Sequence, residues 1–256
     1  MPRRVICGAP WDRLARNAPM SDVPSDRAGA PSARTSSLYS GLVAARASEP
    51  ARSWFVARYG ALEAGAFPAV HAGAGRRLGS ESCELTASER ATLSQADVPA
   101  PSGWPLSAVA RAALCGRICE LLPAHEQLTL LVKQFRTGDN AEREALLHTL
   151  PLLPEPQRFV ELAIDACRSH VQTVFEAIAC ENPYPARFFP EANFNQLVLK
   201  AFFTGVAVRR IEGLPERRTA ELARMALAYA SERRAAGRSV PPDLDLVTPG
   251  ISGASV

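Results

Sequence analysis

Apolar residues return at intervals of three and four along most of this chain, and from residue 105 to 244 they do so almost without a break. Leu106, Val109, Ala110, Ala113, Leu114, Ile118 and Leu121 share one face of a helix that Pro105 is suited to open. Pro123 opens the next, with Leu128, Leu131, Val132 and Phe135 along it. Gly138 is placed to end it, and Asp139 with Glu142 forms a capping box for its successor. Pro151, Pro154 and Pro156 interrupt the chain. From Gln157 a stripe runs Phe159, Leu162, Ala163, Ala166, then Val171, Val174, Phe175 and Ile178. Asn182-Pro183-Tyr184-Pro185 stops it, because two prolines remove backbone donors and fix φ. That segment is expected to be an extended connector with Tyr184 packed inward. Phe194, Leu197, Val198, Ala201 and Phe202 form the cleanest stripe. A last helix carries Leu222, Met225, Ala226 and Tyr229 from about Glu216 to Gly237, and Val240-Pro241-Pro242 closes it.

Upstream the pattern is looser. Trp54, Phe55, Tyr59 and Leu62 fit one helical face after Pro50, and Thr86 with Glu89 makes another capping box. Residues 66 to 78 are Gly-rich and ambiguous, and residues 99 to 103 are a clear connector. Four zones follow: a polar tail over 1–32, a helical segment with Gly/Pro connectors over 33–104, a helical core over 105–244 and a second tail over 245–256. No internal period marks a repeat, and no run of alternating β-branched residues suggests a sheet. The chain reads as all-α, either a HEAT-like α–α superhelix or an irregular bundle of antiparallel neighbours.

Composition narrows the class of protein. A 47% hydrophobic fraction over 256 residues supports a substantial core. A net charge of +3, well mixed with acids, gives no footprint for nucleic acid. No apolar stretch reaches the length of a membrane span, and Val5-Ile6-Cys7 before Pro10, Trp11 and Asp12 makes no signal-peptide core. Met20, ahead of a polar stretch, offers a second start. Of the six cysteines, Cys115 and Cys119 lie four apart on a helix, where they could co-ligate a metal; buried single thiols are the favoured reading. A reduced, cytoplasmic setting is expected.

Phosphate-loop, dinucleotide, zinc-protease and nucleophile-elbow motifs are all missing from the sequence, so no catalytic residue, metal site or cofactor is assigned. The residues with chemical interest are Arg168, His170, Glu176, Asn195, Gln196 and Lys200. All but two of the 29 basic residues are arginine, the exceptions being Lys133 and Lys200. Lys200 shares a helix face with Gln196, and Leu199 and Phe203 flank that face with apolar bulk. An ammonium half-buried there needs a carboxylate or an anionic ligand, and Glu176 or Glu181 is the expected partner. His170 falls on the apolar stripe and reads as a core histidine, with a base or ligand as the alternative. Arginines 209, 210, 217, 218, 224, 233, 234 and 238 read as a salt-bridged face, with a surface for phosphate or an acidic partner as the alternative.

Several segments carry a family resemblance. They are Phe175-Glu176-Ala177-Ile178-Ala179 with Glu181-Asn182-Pro183-Tyr184-Pro185-Ala186, then Phe194-Asn195-Gln196-Leu197-Val198-Leu199-Lys200-Ala201. Ile211-Glu212-Gly213-Leu214 follows, then Tyr229-Ala230-Ser231-Glu232-Arg233-Arg234-Ala235-Ala236-Gly237-Arg238. Together these resemble the EboA family, strongly from about Leu121 to Leu244 and weakly back to Leu78-Gly79 and Gly103-Trp104. Three departures stand out: the family has Arg-Thr-Asn at Arg168-Ser169-His170, a His at Ser231 and a Trp at Arg234. The resemblance implies a cytoplasmic helical protein encoded in a gene cluster that processes or exports secondary-metabolite precursors. Its implied partners are proteins of that cluster, a small anionic metabolite, or both. On this reading the chain is a non-enzymatic adaptor or metabolite handler. The alternative is an enzyme or carrier acting on a small anion through Lys200, Arg168 and His170.

Overall fold

The structure is a computed structural model that describes residues 31–248. Among the described residues there are twelve α-helices, short 3-10 turns and one isolated bridge between Ser82 and Pro105, with no strand. The protein is all-α. The first half holds α1 (Pro31–Arg46), α2 (Glu49–Gly60), α3 (Phe67–Leu78), α4 (Ala87–Gln95), α5 (Leu106–Leu121) and α6 (Ala124–Thr137). The second holds α7 (Asn140–Thr149), α8 (Val160–Cys167), α9 (Gln172–Ala179), α10 (Tyr184–Phe188), α11 (Glu191–Thr204) and α12 (Ala220–Ala235).

The centre is α5. Its Ala, Val, Leu, Ile and Cys side chains run round the whole helix, and such a helix must be covered on every side. Accordingly α1 lies along it, and α3 and α7 pack on its other faces. From there α7 packs on α9 and α9 on α11, so α3, α5, α7, α9 and α11 stack each on the next while α6 and α8 lie against their successors. One continuous apolar cluster runs from Tyr39 to Val247. The segments expected at 33–104 and 105–244 therefore share a single core.

Capping chemistry sets several boundaries. Both predicted capping boxes form: Thr86 with Glu89 opens α4, and Asp139 with Glu142 opens α7. Thr219 accepts from the Leu222 amide and starts α12 four residues later than the sequence suggests. At the other end of α11, Gly205 takes φ +74°, a left-handed C-cap that glycine adopts without steric cost.

Elsewhere the structure corrects the sequence reading. The Gly-rich stretch is a proper helix, α3, in which a Cβ at Gly75 would meet the Arg111 guanidinium at 2.7 Å. The run from Gln157 to Ile178 is not continuous. A 3-10 turn at Pro156–Phe159 precedes α8, and residues 168–171 then break the helix, with Ser169 Oγ accepting from the Val171 amide in place of a helical carbonyl. Asn182-Pro183-Tyr184-Pro185 is a tight turn into α10, not an extended connector. Glu181 takes φ +47°, and Pro185 sits in the first turn of α10, where a missing N–H costs nothing. Tyr184 is buried as expected, its hydroxyl donating to the Pro156 carbonyl at 2.6 Å.

Both tails need adjustment. Helix α1 already begins at Pro31, inside the polar tail proposed for 1–32, and the rest of that tail lies outside the described residues. At the far end a 3-10 turn at Pro242–Leu246 carries the chain on, with Val247 and Thr248 buried. The tail expected from 245 is thus packed through 248, and its remainder is likewise outside the described residues. Phe203, expected to be covered, is 67% exposed. Its ring meets that of Tyr229 on α12 edge-on at 4.7 Å.

Candidate functional site

The break between α8 and α9 creates a site. Because α8 stops at Cys167, its last carbonyls have no helical partner and face the middle of α11. Lys200 reaches across and donates to the carbonyls of Cys167 (2.5 Å) and Ser169 (2.6 Å). Its ammonium also lies over the Phe175 ring, 4.6 Å from the centroid. A cation at a helix C-terminus is the favourable end of the macrodipole. Burial nevertheless pulls the Lys200 pKa below its ordinary value, because no carboxylate offsets the lost water.

This corrects the expected pair with Glu176 or Glu181. Both acids are taken by Arg210, which donates to Glu176 at 2.5 Å and to Glu181 through two bonds of 2.9 Å. The Arg210 guanidinium, followed by Gln172, holds the Glu176 carboxyl below its usual range. Glu176 therefore stands outside the site. Asn195 also stands apart: it is 2% exposed, turned into the core on α11, and its Oδ1 meets no hydrogen-bond donor among the described residues.

The other four candidates converge. Arg168, His170, Gln196 and Lys200 line one cleft of about 330 Å³, together with Asn193 and an apolar side made by Ile164, Phe189 and Leu197. His170 is exposed and not a core residue, because the break at 168–171 takes it off the helical stripe. Arg168 is 67% exposed, with only a loose 3.8 Å approach to Asp165. Lys200 uses two of its three donors on carbonyls and keeps one for a ligand.

Nothing in this arrangement activates a nucleophile. Burial pushes the Cys167 thiol up to about 12, so it stays protonated at neutral pH. His170 has no hydrogen-bond partner among the described residues that would orient it as a base. The cleft combines positive charge, amide groups and an apolar wall, which suits binding of an amphiphilic anion.

A second polar cluster escaped the sequence reading. His71, 0% exposed, lies 3.3 Å from Glu142, and Gln134 donates to the same carboxylate oxygen at 3.0 Å. Arg111, buried on α5, donates to the His71 carbonyl at 3.1 Å. The cluster ties α3, α5, α6 and α7 together at the centre of the molecule. Burial keeps His71 neutral, and its N–H helps hold Glu142 down at about 2. Glu142 was legible only as a cap, and His71 had no signal beyond a polar residue on a helix face. The remaining cysteines described are free: Cys83, Cys115, Cys119 and Cys180 are buried. Burial raises the Cys115 and Cys119 thiols well above their ordinary value, as expected of packing residues.

The family model for the metabolite traffic protein EboA matches residues 37–248, which takes in all twelve helices but the first turns of α1. The chain belongs to the EboA family. No curated protein and no solved structure matches it. The EboA match spans the cleft, the buried His71 cluster and the packed segment up to Thr248 alike. Among the described residues no helix is long and apolar enough to cross a membrane, and no three His, Cys, Asp or Glu side chains cluster as a metal site would need.

Proposed function

We propose that this EboA-family chain is a cytoplasmic metabolite-handling protein that binds a small amphiphilic anion without converting it and presents it to proteins of its own gene cluster. The observation that carries the reading is the convergence of Arg168, His170, Gln196 and Lys200 on one cleft beside an apolar wall. The family's description as a metabolite traffic protein agrees with binding more than with chemistry. A protonated thiol and an unsupported histidine weigh against the catalytic alternative.

Thermal melts with a panel of simple amphiphiles test this reading. Hexanoate and hexyl phosphate should raise the midpoint by a few degrees at saturating concentration, whereas hexylamine should not, since a ligand at 100 times its Kd stabilises by about 2.7 kcal/mol. The double variant Arg168→Gln/Lys200→Gln should fold and lose the shift. Equal shifts with the cationic and anionic amphiphiles, or shifts that survive in the variant, would show that this cleft is not the anion site.

A further inference from the structure

Arg168 also borders a second cleft. On the other side of the break between α8 and α9, a depression of about 320 Å³ is lined by Arg136, Arg143, Arg168, Asp165, Ser169 and Phe135. Three guanidinium groups face one carboxylate there, a formal balance of two positive charges. Several arginines elsewhere are committed: Arg210 and Arg224 to acids, Arg217 and Arg158 to carbonyls. These three keep donors in reserve.

Arg143 is held in place. Its Nε donates to the Phe135 carbonyl at 3.0 Å, one Nη donates to the Arg136 carbonyl at 3.3 Å, and the guanidinium lies over the Phe135 ring. Three of its five N–H donors remain. The Arg136 side chain is exposed, and its guanidinium has no hydrogen-bond or acid partner among the described residues. Arg168 touches Asp165 only loosely, and both are largely exposed. Ser169 Oγ accepts from the Val171 amide, which leaves its hydroxyl proton free to donate. Complementing helix C-termini accounts for Arg143, whose bonds cap α6. It does not require two further arginines at the same depression.

A carboxylate offers two oxygens and satisfies one guanidinium fork; three forks around one cleft match a phosphoryl group with more oxygens and more charge. We infer that the anion handled by this protein is phosphorylated, its phosphate or diphosphate group held by Arg136, Arg143 and Arg168, and its apolar body lying past Arg168 in the cleft walled by Ile164, Phe189 and Leu197. The inference rests on the proposed function for the position of the apolar body. The arginine cleft stands on its own geometry.

Calorimetric titration of the full chain at fixed ionic strength tests it, with inorganic pyrophosphate as the probe for the arginine cleft. Pyrophosphate should bind the wild-type chain, and Arg136→Gln should weaken it about tenfold, the effect of one charge-assisted hydrogen bond. Arg136 is the decisive position because it is exposed and makes no bond that folding depends on, whereas Arg143→Gln also uncaps α6. Arg209→Gln, another exposed arginine far along the chain, removes the same charge and should leave binding unchanged. Hexyl phosphate should bind about tenfold more tightly than hexanoate. Equal binding of pyrophosphate to wild type and Arg136→Gln, or equal loss in Arg209→Gln, would overturn the arginine site. A protein that takes hexanoate and hexyl phosphate equally through Lys200 and ignores pyrophosphate would overturn this inference while leaving the proposed function intact.

Discussion

At the scale of single residues, Lys200 shows what a sequence can and cannot say about a buried cation. Its setting among Leu199, Phe203 and the α11 stripe signals an ammonium short of water, and the structure places it against α8 and Phe175. The partner was not readable, because backbone carbonyls carry no residue-type signal and the free ones exist only where α8 breaks. The identity of the partner changes the expected energetics. An orphaned buried carboxylate would cost about 3–5 kcal/mol. Two carbonyls at a half-exposed helix end can be taken over by water, so Lys200→Gln should lower stability by about 1–2 kcal/mol. Urea unfolding measures the difference: a loss above about 4 kcal/mol would point back to a buried acid as the true partner.

At the scale of elements, the caps were legible and one helix break was not. Thr86 with Glu89 and Asp139 with Glu142 are local signatures whose hydrogen bonds span three residues, so sequence suffices. The stripe from Phe159 to Ile178 holds its signal in its spacing: after Ala166 the next member of the stripe is Val171, a step of five, with Ser169 and His170 at the positions a continuous helix would make apolar. That irregularity marks the turn that builds both clefts. The turn after α9 is better anchored. Asn182, buried, donates to the carbonyls of Ala177 (2.9 Å) and Leu147 (3.1 Å) and accepts from the Tyr184 amide (3.0 Å). Asn182→Ala leaves buried backbone groups unpaired at a junction of α7, α9 and α10, and should cost about 2–4 kcal/mol. A denaturant midpoint shifted by less than about 1 kcal/mol would mean that the turn is held by Tyr184 packing instead.

For the whole molecule, the fold was legible in outline: all-α, with short connections and neighbours that stack. The polar hub at its centre was not, since His71, Arg111, Gln134 and Glu142 come from four separate helices and meet only through tertiary packing. That hub, together with His148, whose ring lies 5.1 Å from that of Trp104, makes stability depend on acid. Burial lowers His71 below its ordinary 6.5 and His148 to about 4, so each histidine charges more readily in the unfolded chain. Their contribution is full above pH 6.5 and is lost as pH falls through that value. Glu142, faced by His71 and Arg111, is held down to about 2 from 4.5, so its contribution fades between those values. The thermal midpoint should therefore be level above pH 6.5 and fall steadily on acidification. His71→Gln with His148→Gln should remove the slope between 6.5 and about 4 and leave a smaller decline at lower pH, since His71 is foremost among the groups that hold Glu142 down. A midpoint independent of pH down to 4.5 would show that both histidines are accessible to protons in the folded state.

The central claim is that the two sides of the α8–α9 break form the binding site of a traffic protein. Amide chemical-shift mapping of the 15N-labelled full chain, titrated with hexyl phosphate, tests it most directly. The account predicts saturable shifts centred on residues 164–170 and 193–200, extending to Arg136 and Arg143. Shifts centred instead on the groove beside Phe203 and Tyr229, or no saturable shifts at all, would contradict it.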